Sequence, residues 1–221
     1  MRFEAAGAAI LNHARPSDVS SVMTLDLFGG TSFPEGFVYQ TEVLSPADEQ
    51  VLLDEIEKLP FREFDFHGFL GKRRVVSFGW KYDFAAATLR QADPIPDFLI
   101  SARLKVATAV NRTPEMFEQV LVTEYSPGAG IGWHKDKAVF GEVMGMSLAA
   151  SCTLRLRQKA GEKWRRVSTE LLARSVYLFS GEVRSAWEHS IPAVSHTRYS
   201  LTFRSLAGPT RPPIAPHVGW S

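Results

Sequence analysis

Short strand-like segments separated by turns fill the second half of this 221-residue chain, and they constrain the fold more than any other feature. Two of them, "CTLRLRQ" and "RYSLTFR", alternate apolar and polar residues, as strands with one buried face do. Turn residues stand between segments in "SPGAGIG" and "QKAGEK". We predict strands in "FEQVLVTEY", "SLAASCTLRLRQ", "KWRRVSTELL", "SVYLFSG" and "TRYSLTFRSL". Such a series folds as an antiparallel sandwich or barrel.

The first half combines helices with further strands. Ser45 suits an N-cap, Pro46 suits the first helical position and acidic residues follow, so a helix is predicted to begin there. The segment "PIPDFLISARLKVATAV" predicts a second amphipathic helix, whereas "GFVYQTEVL" and "RRVVSFGWKYDF" predict strands. The expected fold is therefore mainly β with flanking helices, in the α+β class.

One domain is expected over residues 23–221, because no linker-like change of composition divides that stretch. Residues 1–22 lack apolar periodicity, so we predict a disordered extension, and Met23 is an alternative start. Within the domain, residues 35–116 would hold the N-terminal helices and residues 117–206 the β core.

Composition limits the functional class. Hydrophobic residues make up 45% and charged residues 22% of the chain, as in soluble globular proteins, and no apolar run is long enough to span a bilayer. The single cysteine, Cys152, excludes an internal disulfide and favours a reducing cytoplasm. Because Cys152 stands in the apolar run "MSLAASCTLRL", we expect it to be buried. We expect a cytoplasmic monomer without membrane association.

Charge is uneven along the chain. The formal net charge of +1 does not indicate a nucleic-acid binder. Residues 155–166, however, contain six basic side chains and one acid, Glu162. A solvated face and a phosphate-contacting face both remain open for this segment.

The stretch "GWHKDK" places His134 two residues before Asp136. A mononuclear iron(II) oxygenase needs two neutral imidazoles and one carboxylate on one side of the metal, and residues two apart in an extended segment point the same way. His-x-Asp alone is a weak signal, since a surface turn can have the same letters. For a third ligand we favour His189, because "GEVRSAWEHSIP" lies between two predicted strands. His196 is expected in a turn and His217 on the surface.

Two arginines in the last predicted strand are spaced to share a face. Arg198 and Arg204 are six residues apart, so both would point to one side of the strand. They are either surface charges or bidentate partners for a carboxylate. A small dicarboxylate co-substrate beside a metal would need such a partner, and Tyr125 could add a phenolic hydrogen bond.

The order Tyr…His-x-Asp…His…Arg-x5-Arg resembles that of the AlkB family of Fe(II)- and 2-oxoglutarate-dependent dioxygenases. The similarity covers about residues 35–206. It rests on three blocks, "EYSPGAGIGWHKD", "SGEVRSAWEHSIP" and "RYSLTFR". Three blocks in the right order are far more specific than any one of them. The resemblance implies a double-stranded β-helix, or jelly-roll, core with helices packed outside.

The resemblance also implies a role for each motif residue. His134, Asp136 and His189 would bind Fe(II). Arg198 with Tyr125 would hold the distal carboxylate of 2-oxoglutarate. The second arginine, Arg204, would lie near Asp136 and the chelating end of that co-substrate.

The reaction implied is an oxidation that also consumes O2 and 2-oxoglutarate. Family members hydroxylate a methyl group on a nucleobase nitrogen and release formaldehyde, with succinate and carbon dioxide as co-products. Alkylated DNA or RNA is the implied partner.

The chain departs from the family pattern at four positions. Thr123 and Ser200 stand beside the implied co-substrate site where the family usually has Asn, and Ser190 replaces a Gly. Ala138 stands where some base-repairing members have an acidic residue. The departures leave the substrate open, so a modified tRNA base and a methylated protein side chain are alternatives. A non-catalytic binding module is disfavoured, because binding alone would not require the full set of motif residues.

Substrate contacts are expected from "FREFDFHGFLGKRRVVSFGWKYDF", within a nucleotide-recognition or lid region over residues 35–116. Aromatic side chains that stack on a base and cations that meet phosphates suit an enzyme acting on a flipped base. The phenylalanines of this stretch would more simply be core residues, namely Phe61, Phe64, Phe66 and Phe69. The candidate substrate contacts are Arg73, Arg74, Trp80, Tyr82 and, beside the metal, Trp187.

Overall fold

The computed structural model describes residues 33–66 and 69–208. The predicted extension over residues 1–22, the alternative start at Met23 and His217 lie outside the described residues. The side chains of residues 64–71 are likewise outside the description, and with them the core packing predicted for Phe64, Phe66 and Phe69.

The chain forms three helices and thirteen strands over the described residues. The helices are α1 (Pro46–Ile56), α2 (Asp97–Ala109) and α3 (Gly181–Ser185), with a 3-10 turn at Pro114–Met116. The strands are β1 (Phe37–Gln40), β2 (Arg62–Phe66), β3 (Phe69–Phe78), β4 (Trp80–Asp83), β5 (Thr88–Gln91), β6 (Gln119–Tyr125), β7 (Ile131–His134), β8 (Phe140–Leu148), β9 (Cys152–Ala160), β10 (Lys163–Leu171), β11 (Ser175–Phe179), β12 (Glu188–Ile191) and β13 (Arg198–Leu206).

Two antiparallel sheets form the sandwich that the sequence predicts. The larger has seven strands in the order β1-β11-β8-β13-β6-β3-β2, and the smaller has four in the order β10-β9-β12-β7. A separate hairpin joins β4 to β5. The prediction of a mainly β fold with flanking helices is confirmed. Strands from both sides of residue 117 share the seven-stranded sheet, so the division of the domain near that residue stays a prediction.

Helices α1 and α2 cover one face of the seven-stranded sheet. Ser45 caps α1 as predicted, because its Oγ accepts a hydrogen bond from the backbone N–H of Asp48 at 3.0 Å. Ile56 of α1 and Leu99 of α2 are fully buried against the sheet residues Val122 and Met146. No described helix has the length and apolar character needed to cross a membrane.

Strand alternation divides the seven-stranded sheet into two chemically different faces. In β13, Leu201 and Phe203 belong to the core beneath the helices. Their neighbours Arg198, Ser200 and Arg204 point instead toward the four-stranded sheet. That sheet contributes a second apolar cluster between the two sheets, which includes Leu154, Leu156, Leu171 and Ile191 together with Tyr125, Tyr177 and Phe179.

The sequence prediction was wrong in joining "SLAASCTLRLRQ" into one strand. β8 ends at Leu148, Ala149 has a positive φ of 68°, and β9 begins at Cys152. Sequence reasoning also missed most of β8, whose two glycines weaken its strand pattern. One of them, Gly145, is required by close packing, since a Cβ there would overlap the ring of Tyr177. Cys152 is buried as predicted.

Replacing Gly145 with Ala should destabilise the protein. The added methyl group meets the Tyr177 ring, and overpacking of this kind costs roughly 1–3 kcal/mol of unfolding free energy. Thermal or denaturant unfolding followed by circular dichroism measures the change. The matched control is Gly132→Ala, because no described residue other than its chain neighbours lies within 4 Å of a Cβ at Gly132. Equal unfolding midpoints for the two variants would show that the Tyr177 ring moves to make room for the methyl group at little cost.

Candidate functional site

The polar face of the seven-stranded sheet brings together most of the motif residues. In the β13–β6 register, Arg198 is opposite Tyr125 and Ser200 is opposite Thr123. Arg204 is opposite Gln119 and donates from one Nη to its Oε1 at 3.0 Å. Arg198 and Arg204 therefore share one face of a strand, as their spacing predicts.

The four-stranded sheet places the two candidate histidines side by side. His189 of β12 is opposite His134 of β7, and their ring centroids are 4.2 Å apart. The Nε2 atom of His189 is 3.7 Å from Oδ2 of Asp136. The Nδ1 atom of His134 lies 2.9 Å from the carbonyl of Gly132, so donation there leaves Nε2 as the basic nitrogen. His196 lies apart, exposed in the connection between β12 and β13.

The side chains of His134, Asp136 and His189 lie close to one another, but their arrangement is not that of a complete metal-binding group. Over residues 33–66 and 69–208, no three His, Cys, Asp or Glu side chains are arranged as a complete metal-binding group. One oxygen of Asp136, Oδ1, accepts a hydrogen bond from Nε of Arg204 at 2.8 Å. The other oxygen faces His189.

Electrostatics hold these residues in the protonation states that metal binding requires. Burial would raise the pKa of Asp136, but the Arg204 guanidinium and the nearby imidazoles outweigh it and hold that pKa below its usual range. Burial lowers the pKa of His189 to about 3, against the opposing attraction of Asp136. Burial also lowers the pKa of His134. At neutral pH the site therefore has one carboxylate and two neutral imidazoles, which suits a divalent metal.

Arg198 is a fully buried cation with free donors. Its side chain is among the largest with no exposed surface, and its Nε donates to Oγ of Ser147 at 2.9 Å. Both terminal nitrogens are buried and have no hydrogen-bond partner among the described residues. Its Cζ lies 5.1 Å from the ring centroid of Tyr125. A buried guanidinium with two free Nη atoms fits a bidentate carboxylate ligand.

Sequence reasoning missed Arg184, which fixes the segment that follows His134. From α3, its guanidinium donates to the carbonyls of Lys137 at 2.9 Å, Phe140 at 2.6 Å and Gly141 at 2.6 Å. A longer contact of 3.4 Å reaches the carbonyl of Asp136. No periodic signal could reveal this contact, since the partners are more than forty residues apart in the chain.

Sequence reasoning also missed other polar residues buried between the sheets. Ser147 is fully buried and was hidden in the apolar run "VMGMSL". Gln119 is 2% exposed and binds Arg204. A polar residue within an apolar strand pattern was the available signal for both. Trp187, predicted to lie beside the metal, is buried in the cluster between the sheets, and its indole Nε1 has no hydrogen-bond partner in the described part of the chain.

The structure separates the adjacent arginines Arg73 and Arg74. Arg73 is opposite Tyr125 in the β3–β6 register and hydrogen-bonds the phenol of Tyr125, so it belongs to the polar interior. Arg74 points to the helical side, where it makes a two-point ion pair with Glu124 at 3.0 and 2.6 Å. Phe61 lies beneath Arg74, with Cζ 5.6 Å from its ring centroid. Of the two, Arg73 has the position expected of a site residue.

The hairpin of β4 and β5 contains the remaining substrate candidates. Trp80 is packed with Leu89 and Phe140 in a small separate cluster, which favours a packing role for its ring. Tyr82 is half-buried, and Nζ of Lys137 lies 5.3 Å from its ring centroid. Tyr82 therefore lies beside the segment that Arg184 holds, and its contact with substrate stays a prediction.

Comparisons with known proteins agree with this geometry. The sequence profile of the 2OG-Fe(II) oxygenase superfamily matches residues 39–204. The mouse protein named tRNA (carboxymethyluridine(34)-5-O)-methyltransferase ALKBH8 is 26% identical over 74% of this chain and 25% of its own length. An Arabidopsis thaliana protein named Alkylated DNA repair protein ALKBH8 homolog is 23% identical over 83% of this chain and 58% of its own length. The chain thus spans about a quarter of the mouse relative and over half of the plant one.

A solved structure, that of OsALKBH1, has the same fold. It superposes with a TM-score of 0.62 at 17% sequence identity, covering 79% of this chain and 99% of that one. This confirms the predicted jelly-roll core. The superfamily uses Fe(II) with the co-substrates 2-oxoglutarate and O2, and its members are dioxygenases. By its profile match, its ALKBH8 relatives and its fold, the chain belongs to the 2OG-Fe(II) oxygenase superfamily and is of AlkB type.

Proposed function

We propose that this dioxygenase oxidatively demethylates N-alkylated nucleobases in DNA or RNA, releasing the methyl carbon as formaldehyde together with succinate and carbon dioxide. The observation that carries the proposal is the buried pair of free Arg198 Nη atoms, located in the same interior as His134, Asp136 and His189. The nucleic-acid part of the proposal is supported by the names of the relatives, which refer to tRNA and to alkylated DNA.

We assign the metal-binding role to His134, Asp136 and His189. The low pKa values of the two imidazoles keep them neutral, and Arg204 keeps Asp136 ionised, so no proton has to leave before a metal binds. When bound, Fe(II) supplies the oxidation chemistry with O2, while the protein supplies orientation and a water-poor interior.

The co-substrate would be held from the opposite sheet. The free Nη atoms of Arg198 would receive the distal carboxylate of 2-oxoglutarate, and the Tyr125 phenol would donate to the same group. Ser147 anchors the Arg198 Nε and so fixes the plane of the guanidinium. Thr123 and Ser200 face each other beside this pair and are both buried. Their hydroxyls would take the place of the family's usual amides.

The substrate would approach from the side where Arg73 and Tyr82 lie. Arg73 is in the interior beside Tyr125. A base must leave the stack to reach such an interior, since the target atom is inaccessible within a duplex. A cation near the site would then meet the phosphates of the extruded nucleotide.

A modified tRNA base is the second candidate substrate. The name of the mouse relative, and that of a Xenopus tropicalis relative 27% identical over 72% of this chain, refer to a tRNA uridine. This chain covers only about a quarter of either protein, so their full activity is not transferred. Ala138 also lacks the acidic group found in some base-repairing family members. The same oxygenase residues would serve either substrate.

Purified, iron-loaded protein should release succinate from 2-oxoglutarate faster when a methylated oligonucleotide is present. Oligonucleotides with 1-methyladenine or 3-methylcytosine should stimulate succinate release. The formaldehyde produced should equal the additional succinate. His189→Ala should abolish both, because the variant lacks one proposed ligand, while circular dichroism reports an intact fold. Release that ignores DNA and RNA oligonucleotides yet is lost in His189→Ala would contradict the demethylation of these bases and direct the search to tRNA modifications.

Arg198→Met should remove the stabilisation of the protein by 2-oxoglutarate. Loss of a buried charged partner costs about 2–5 kcal/mol of binding free energy, so the rise in melting temperature with added 2-oxoglutarate should vanish at concentrations that stabilise the native chain. The control is Arg103→Met, since Arg103 is part-buried in α2 and, among the described residues, its hydrogen bond is to the carbonyl of Phe117. If 2-oxoglutarate raises the melting temperature of Arg198→Met as much as that of the native chain, the co-substrate does not bind at Arg198.

Arg184→Ala should loosen the segment that contains Asp136. Three short hydrogen bonds to carbonyls are lost, so the amide of Phe140, which bonds the Lys137 carbonyl, should exchange hydrogen faster. Hydrogen exchange with mass spectrometry measures this. Arg174→Ala, which removes a contact with Glu49 instead, should leave that segment unchanged. Equal protection in both variants would mean that the segment is held by other contacts.

A further inference from the structure

The outer face of the four-stranded sheet has a row of cations and indoles that the proposed reaction does not use. Leu154 and Leu156 of β9 pack between the sheets, so Arg155, Arg157 and Lys159 point outward by alternation. In β10, Arg166 is opposite Arg157 and Trp164 is opposite Lys159. The basic face is defined here as Trp133, Arg155, Arg157, Lys159, Trp164 and Arg166.

Stacking on tryptophans fixes the arginines of this face. Cζ of Arg157 lies 4.4 Å from the Trp133 ring centroid and 4.2 Å from that of Trp164, and Cζ of Arg155 lies 5.0 Å from Trp133. The Nε atoms are anchored on β12, at Ser190 for Arg155 and at Glu188 for Arg157. Within the described chain, no hydrogen bond engages the Nη atoms of either arginine, so these donors remain for a ligand.

The charge of this face is strongly positive. It has four cations, and Lys159 and Arg166 are exposed with no ion pair among the described residues. The nearby acids are Glu188, already paired with Arg157, Glu162 in the hairpin turn and Glu170 at the far end of β10. Because the whole chain has a formal net charge of only +1, the rest of the chain outside these four cations carries a net negative charge.

The basic face begins next to the candidate active site. Arg157 is opposite Glu188, the residue before His189, and β9 runs on for three residues beyond that pairing. This extension reaches the site's end of the sandwich, since Gln158 bonds Glu182 of α3 at 2.8 Å. Lys159 is two residues past Arg157, about 7 Å along the strand, which is close to the spacing of neighbouring phosphates along an extended strand.

We propose that the basic face binds the phosphodiester backbone of the nucleic acid that flanks the nucleotide in the site. The inference rests on the proposed function and adds a docking surface to it. The negative charge of phosphates complements the four cations of the basic face. The unengaged Nη atoms of Arg155 and Arg157 can donate hydrogen bonds to phosphate oxygens. The indole faces are covered by arginine, so the contact would position the strand without reading its sequence.

The test measures salt-dependent binding of an unmodified single-stranded DNA oligonucleotide of about 20 nucleotides, long enough to extend past the site. Fluorescence anisotropy is followed across a potassium chloride series for the full chain and for Lys159→Gln/Arg166→Gln. Losing two phosphate contacts should reduce the slope of log K against log salt by about 1.4. The control Lys58→Gln/Lys105→Gln removes the same charge at exposed ion pairs near the helices and should keep the native slope.

The outcomes separate this inference from the proposed function. A reduced slope in the basic-face variant, with succinate release in the absence of DNA unchanged, supports it. A native slope in that variant overturns it, even if methylated oligonucleotides stimulate turnover. Equal slope changes in both double variants overturn it as well, because they would reflect net charge alone. Tighter binding of poly-glutamate than of DNA would assign the face to an acidic protein and also overturn it.

Discussion

The ion pair between Asp136 and Arg204 is the interaction on which the interior of this protein depends. A carboxylate that is 6% exposed would take up a proton without a partner, and the Arg204 guanidinium at 2.8 Å prevents this. Arg204 is held in turn by Gln119. Removing either charge would leave the other buried and uncompensated, which costs about 3–5 kcal/mol. The charged state of Asp136 is therefore built into the fold, before any metal or substrate binds.

Only a fold with two different faces on one sheet can keep such charges and still have a core. In β13, alternate residues pack under the helices, and the others form the polar interior with Arg198 and Arg204. The apolar core beneath the helices stabilises the sheet, so the opposite face can contain polar groups and unpaired donors. The free Nη atoms of Arg198 persist on this basis, since their cost is offset elsewhere in the structure.

The sequence predicted the parts of the site that depend on spacing within one strand. One such feature is the shared face of Arg198 and Arg204, which follows from local geometry. Outside the site, the start of α1 at Ser45 follows from local geometry as well. For longer segments, the sequence did not predict which face of the sheet a given side chain occupies. The predicted strand "RRVVSFGWKYDF" implies that Arg73 and Arg74 point to opposite faces, but it does not say which of them faces the site, because one residue of register exchanges the faces of a strand. Contacts such as Arg184 with the Asp136 segment depend on tertiary structure alone.

The two histidines lie on strands too short to hold them unaided. β7 and β12 have four residues each, whereas β9 and β10 have nine each and pair along their full length. A four-residue strand takes its position from its neighbour, so β9 determines where His189 points. The outward bonds of β12 to Arg155 and Arg157 add to that support. The long hairpin therefore serves both surfaces of the sheet, because it positions the candidate metal ligands inside and displays the cations outside.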